Sequence, residues 1–415
     1  MIKTIREKVK KVAFISSYLP RKCGIATFTA DLIHNTGLAG GGEFEPLVIA
    51  VQSGPELKYE KPVGLKIRKD VRYDYIRAAD YINFSDVDIV SVQHEFGLFD
   101  GEGGSHLSLL LKRLNKPVIA TLHTVLERPS AEYFDSLTDV CEASDKVIVM
   151  NKRGIRMLRD IYDVPAHKIE LVPHGIPDLP FSDSSYCKRK LGLDGRKIIL
   201  TFGLLSKNKG VEVMLRALPR VVRTDPSILY IVLGATHPEV LRREGRSYKF
   251  KLERMVEDLR LQRNVVLDNR FVNNEELFTF LGAADVYVTP YLHKEQLTSG
   301  TLAFAVGAGK AVVSTPYWAA QELLAQGRGK LVPFGDSKKI ARSIAEVLSN
   351  KSLFTRMKRL AYEYGRSMTW PKVGQSYWKL FTSQVPSKPM PLQPSLDTIG
   401  WEKPACRRQQ IYQSA

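Results

Sequence analysis

Thr298, Ser299, Gly300 and Thr301 place three hydroxyls and a glycine just ahead of a small-residue stretch, 302–308, which Gly309 closes and the apolar 311–314 follows. A hydroxyl-rich turn at a helix start leaves backbone N–H groups without intrahelical partners, and the helix dipole adds to their pull on an anion. The spacing predicts a helix over 301–308 whose N-terminus faces a phosphate, followed by a buried strand of an α/β sheet. A second segment points to the same ligand chemistry. The apolar 197–203 ends in Gly203 and runs into Leu204-Leu205-Ser206-Lys207-Asn208-Lys209-Gly210, with a helix opening at Val211. Gly203 permits close backbone approach, and Lys207 and Lys209 bring ammonium groups beside the helix start. Two strand–turn–helix units of this kind suggest a diphosphate held from both sides.

Such turns need parallel sheets beneath them, and the hydrophobic pattern supplies two. Short β-rich runs at 12–16, 46–51, 89–92, 118–122 and 147–150 alternate with helical-period stretches. The series restarts at 198–202, 229–233, 265–267, 286–288, 311–314 and 330–332. Strands separated by helices imply doubly wound α/β domains, so two Rossmann-like domains are expected to face each other across a cleft. The expected boundaries are a first domain over 1–175, a hinge rich in Pro, Asp and Ser over 176–194, and a second domain over 195–368. Trp370, Val373, Tyr377 and Phe381 share one helical face, which predicts a closing helix over 369–382. The tail 383–415, proline-rich and poor in apolar residues, is expected to be disordered.

Composition narrows the function. A chain of 415 residues with 44% apolar content can build two cores. Cys23, Cys141, Cys187 and Cys406 are far apart and form no C-x-x-C pair, which indicates neither a zinc site nor a disulfide framework and fits a reducing cytosol. The apolar run at 12–15 is too short for a signal segment or a membrane span, so a cytoplasmic protein is expected. The net charge of +17 brings anionic partners into view. It is dense only at 1–11 and 242–251 and accompanies no nucleic-acid module, which disfavours nucleic acid and leaves an anionic membrane surface as a peripheral contact. After the first strand there is no G-x-G-x-x-G, so a dinucleotide is not indicated. No His or carboxylate cluster has metal-ligand spacing, and no metal or resident cofactor is expected. Asp86-Val87-Asp88 precedes its strand, at the end away from the ligand side, and reads as a loop. Gln93-His94-Glu95 leaves that strand at its carboxyl end, which assigns His94 and Glu95 to the acceptor. His123 likewise follows a strand and should project into the cleft, whereas His174 reads as structural.

The chain resembles glycosyltransferase family 4, with the GT-B fold. The resemblance rests on the segments above together with P-R-K-C-G-I-A-T-F-T-A-D-L at 20–32, His123-Thr124, V-P-H-G-I at 172–176 and N-N-E-E-L-F-T-F-L-G-A-A-D-V-Y-V-T-P at 273–290, and it spans about residues 11–382. It implies a retaining, metal-independent transferase that moves a hexose, glucose or mannose, from a nucleotide diphosphate sugar to a hydroxyl acceptor such as a glycan or lipid-linked sugar. The resemblance places Gly24 at the diphosphate from across the cleft and gives His123, Lys209 and Glu295 catalytic roles. It assigns Gly203, Lys207, Lys209, Gln296, Thr298, Ser299, Gly300 and Thr301 to the donor, with Arg270, Phe271 and Val272 flanking the base and Glu275 or Glu276 nearby. The final helix is expected to cross back onto the first domain.

Three positions depart from the family. Of its two glutamates eight residues apart, the first falls on Gln296, beside Glu295, and the second on Phe304; the arginine after the first donor-domain glycine is Leu204. A glycoside phosphorylase with free phosphate in the diphosphate pocket, or a catalytically silent sugar-nucleotide-binding scaffold, therefore stand as alternatives.

Overall fold

The structure, a computed structural model, describes residues 9–42, 44–181 and 183–385, the side chains of Pro238 and Glu239 excepted. The basic residues Lys3, Arg6 and Lys8 of the start and the tail from 386 onward lie outside the described residues.

Seven parallel strands build the first sheet: β1 Lys11–Ser16, β2 Glu45–Gln52, β3 Val63–Arg68, β4 Ile89–His94, β5 Val118–Leu122, β6 Lys146–Val149 and β7 Ile169–Leu171, in the order β3-β2-β1-β4-β5-β6-β7. Six build the second: β8 Lys197–Phe202, β9 Ile228–Leu233, β10 Val265–Asp268, β11 Val286–Thr289, β12 Ala311–Ser314 and β13 Lys330–Leu331, in the order β10-β9-β8-β11-β12-β13. Parallel pairing forces helices onto both faces, so inner strands are buried along most of their length and largely apolar. In β1 only Lys11 is less than buried. Strand order reverses between β1 and β4 in one sheet and between β8 and β11 in the other. Crevices at the carboxyl ends of strands flanking such a reversal are where open α/β sheets take ligands.

Three features differ from the sequence expectation or refine it. β3 and β7 were not anticipated; both are edge strands, β3 only partly buried and β7 three residues long. The expected hinge contains the helix Ser185–Lys190, where Lys188 pairs with Asp285 at 2.7 Å and Cys187 lies against Gly282. That half of the hinge segment is thereby tied to the second sheet. Asp86 and Asp88 serve the foot of the first sheet: Asp88 Oδ2 accepts the Lys10 and Lys11 N–H groups at 2.8 and 2.9 Å, and Asp86 pairs with Lys11 at 2.9 Å.

The helix Trp370–Gln384 crosses to the helix Gly24–Ala39 of the first sheet. Trp370, Val373, Tyr377 and Phe381 join Phe14, Phe28 and Leu32 in one core cluster. The Tyr377 hydroxyl reaches Thr121 Oγ1 at 2.9 Å beneath β5. The contact is close enough that a Cβ on Gly374 would fall 2.4 Å from the Asn35 carbonyl oxygen.

Candidate active site

The two turns singled out in the sequence flank the reversal point of the second sheet. Ser299 caps the helix Gly300–Gly307, its Oγ accepting from Leu302 N–H at 3.4 Å. Thr301 Oγ1 lies 3.1 Å from the Tyr291 hydroxyl, and the Tyr291 ring stacks on Tyr317 at 4.9 Å. On the Tyr291 ring sits the Lys209 ammonium, 4.0 Å from its centroid. Lys209 makes no ion pair with a carboxylate among the described residues, so its charge remains available. Gly210 sets this up: its φ of +65° is left-handed, and a Cβ there would stand 1.9 Å from the Pro290 carbonyl oxygen. The Asn208 side chain and carbonyl then accept the His293 and Leu292 N–H groups at 3.0 and 2.9 Å, joining the loops after β8 and β11. Gly203 faces Thr301, whose Cγ2 would be 3.1 Å from a Cβ at that glycine.

The remaining donor-side residues divide. Thr298 Oγ1 is buried without a partner among the described residues, and Gln296 Nε2 donates to the Thr298 carbonyl at 3.2 Å. Glu295 is exposed at the loop surface. Lys207 pairs with Glu244 at 2.9 Å, and Arg270 is held by Asp268 at 2.7 Å and Glu276 at 2.8 Å. Phe271 is 41% exposed, while Val272 packs on the second core. Phe304 is buried between His174, 6.1 Å away, and Phe278, 6.3 Å away, so an apolar ring occupies that position.

On the first sheet, strand alternation decides which histidine faces the cleft layer. Gln93 and His123 lie on the side of the Gly24–Ala39 helix. His123 Nε2 donates to Gln93 Oε1 at 3.0 Å, and its ring stands edge-on to Phe28 at 5.0 Å. Burial, with smaller effects of His174 and His94, pushes the His123 pKa down to about 3, so the ring is neutral. His94 points the other way, completely buried between Phe96 and Phe99, with neither ring nitrogen partnered among the described residues. His94, assigned from the sequence to the acceptor, is thus sealed within the first core. Glu95, half-buried, accepts from Thr124 Oγ1 at 2.7 Å, and burial raises its carboxyl pKa. Gly24 opens its helix in an exposed position, just after Cys23, whose Sγ accepts from Ala26 N–H at 3.4 Å.

His174, read from the sequence as structural, reaches the donor turn. Its Nδ1 donates to the Gly175 carbonyl at 2.7 Å, leaving the Nε2 lone pair toward Gly300, where a Cβ would come within 2.7 Å. Burial holds its pKa near 4. Asn151 also escaped the sequence reading. Its Oδ1 caps the helix Lys152–Asp160 through Gly154 N–H at 2.9 Å, and its Nδ2 donates to the Leu297 carbonyl in the donor loop at 2.5 Å. Beside it, Lys152 N–H donates to Glu322 at 3.0 Å and the Arg153 guanidinium lies 4.5 Å over Trp318. Asparagine as a helix cap is legible from sequence; its second partner, 146 residues away, is not. Among the described residues no group of three or more His, Cys, Asp or Glu side chains could hold a metal ion.

Two family models cover this arrangement: "Glycosyltransferase Family 4" over residues 24–178 and "Glycosyl transferases group 1" over 186–364. The chain belongs to glycosyltransferase family 4. This family 4 chain is 24% identical over 211 residues to a phosphatidyl-myo-inositol mannosyltransferase of Mycolicibacterium smegmatis, covering 51% of this chain and 50% of that protein. It is 24% identical over 334 residues to an alpha-monoglucosyldiacylglycerol synthase of Streptococcus pneumoniae, covering 71% and 70%. The chain spans about half the length of the first curated relatives it matches. Among solved structures, Anabaena HepE in complex with UDP superposes with a TM-score of 0.69 at 16% identity, covering 90% of this chain and all of that one. A sucrose-phosphate synthase from Thermosynechococcus elongatus gives 0.70 at 16% identity, covering 90% and 98%. These likenesses show the fold, GT-B. No helix of the described residues is long and apolar enough to cross a membrane.

Proposed function

We propose that this family 4 enzyme transfers a hexose, glucose or mannose, from a nucleotide diphosphate sugar to a hydroxyl of a glycan or lipid-linked acceptor, with retention of configuration. The observation that carries the reading is the convergence of Lys209, the Tyr291–Thr301 pair and the N-terminus of the Gly300–Gly307 helix at the reversal point of the second sheet. A diphosphate leaving there meets charge and N–H groups already in place, which need no reorganisation as its negative charge grows. By family analogy the departing phosphate oxygen takes the acceptor proton on the same sugar face, and Lys209 supplies the charge that a divalent cation supplies in other transferases. Transfer is therefore expected to survive EDTA. The names of the two relatives, which include phosphatidyl-myo-inositol and diacylglycerol, favour a lipid-linked acceptor, and the net charge of +17 favours work at an anionic membrane surface facing the cytoplasm.

Thermal-shift titration with UDP-, GDP- and ADP-linked glucose and mannose, with inorganic phosphate as control, tests the reading. One nucleotide sugar should raise Tm well above the others. Phe304, an apolar ring where the family resemblance expects a glutamate, favours a second reading in which the nucleotide is not held. Stabilisation by phosphate alone would then mark a phosphorylase, and stabilisation by none a non-catalytic scaffold.

A further inference from the structure

We propose that Gln93 is a positioning residue that fixes the tautomer of His123, making its Nδ1 a pure hydrogen-bond acceptor toward the transferred sugar. The inference rests on the transferase reading and on the sequence expectation that His123 projects into the cleft near the transferred sugar. Gln93 pairs in register with Thr121 on the adjacent strand, and His123 N–H continues that ladder by donating to the His94 carbonyl at 3.0 Å. Gln93, Thr121 and His123 therefore share one face, and the amide is brought to the imidazole by strand geometry. Gln93 is completely buried, its Oε1 is 3.0 Å from His123 Nε2, and its own NH2 has no partner among the described residues.

A carbonyl oxygen only accepts, so the imidazole must donate from Nε2. A neutral ring carries one proton; spending it on Gln93 leaves a lone pair at Nδ1, which has no partner among the described residues. A sugar hydroxyl can then donate to Nδ1, and His123 orients the sugar without delivering a proton to it. The opposite amide orientation would put NH2 against Nε2, move the ring proton to Nδ1 and turn the acceptor into a donor. The amide thus selects which hydroxyl lone-pair geometry the site accepts. Phe28 packs edge-on against the same ring at 5.0 Å.

The test is two-bond 1H–15N correlation of 15N-histidine-labelled full chain at neutral pH, with His123 identified by its absence in His123→Asn. The wild type should show a protonated Nε2 and a bare Nδ1. Gln93→Leu should shift His123 toward mixed tautomers and lower kcat/KM about tenfold, chiefly through KM, the size of one lost hydrogen bond. Gln93→Glu offers a carboxylate in the same place and should raise the His123 pKa, so that both nitrogens become protonated at a higher pH than in the wild type and the pH–rate profile gains a limb absent from the wild type. If Gln93→Leu does not fold, Gln93→Glu carries the test alone. A protonated Nδ1 in the wild type, or a His123 spectrum unmoved by both substitutions, overturns the proposal. The readout needs no donor: the expected tautomer in a protein that no nucleotide sugar stabilises would uphold the Gln93–His123 tautomer assignment while rejecting the transferase reading and, with it, the sugar as the partner of Nδ1.

Discussion

Lys209 owes its place to Gly210 and Tyr291 and to no carboxylate, which makes it a clean target. Lys209→Ala should leave the fold intact and weaken binding of the stabilising nucleotide diphosphate by about 10- to 150-fold, the equivalent of a charge-assisted contact of about 1.5–3 kcal/mol. Isothermal titration checks it, and equal curves would remove Lys209 from the site. His94 carries a different expectation. Its folded pKa of about 4 lies below the ordinary histidine value of about 6.5, so the unfolded chain binds the proton first. The stability tied to His94 is complete above about pH 6.5, falls as pH drops from there toward 4, and is flat below. His94→Phe keeps a ring between Phe96 and Phe99 and removes the titration. Relative to wild type it should gain about 2 kcal/mol at pH 5 and clearly less at pH 8, measured by urea midpoints at both pH values. Which histidine faces the cleft layer was only half legible in sequence. His94 and His123 both end strands, but period-2 alternation turns one into a core and the other toward the cleft, and sequence alone does not say which face is which. His174 was harder still, because its importance comes from Gly300, far away along the chain.

At the scale of elements the inner strands were readable, and the two edge strands of the first sheet were not. The inner strands of the second sheet announce themselves as apolar runs, since both faces are covered. β3 pairs on one side only and mixes Lys66 and Arg68 into its run, and β7 is three residues long, so neither produces the buried-strand pattern. The crossing helix was legible because its apolar residues keep helical spacing; that Gly374 is the point of closest approach was not. Helix propensity alone credits Gly374→Ala with about 1 kcal/mol of stabilisation. The Asn35 carbonyl, 2.4 Å from the new Cβ, is backbone and cannot rotate aside, so the net effect should be a loss of about 1–3 kcal/mol. A Tm above wild type would show that the two helices can part without cost.

For the whole molecule, the contact that couples the halves near the donor loop is the run Asn151, Lys152 and Arg153. Each reaches a different group of the second domain: the Leu297 carbonyl, Glu322 and Trp318. Asn151→Ala removes the side-chain bond that this run makes from the first domain to the donor loop and takes away the Leu297 carbonyl's Asn151 donor. The expected result is faster amide exchange across 292–299 with β11 and β12 unchanged, and a donor KM raised several-fold. Uniform exchange in both proteins would mean that the loop is held from within its own domain.

Trp318 adds an optical consequence. It is one of four tryptophans in the sequence, 2% exposed, with its Nε1 unpartnered among the described residues and a guanidinium of the opposite domain above its ring. A cation held over an indole perturbs its excited state, and water reaching the ring shifts its emission to the red. Any parting of the domains withdraws the one and admits the other. The protein thus carries its own fluorophore at the seam, and stopped-flow emission after donor mixing would time the motion of the two halves without a label.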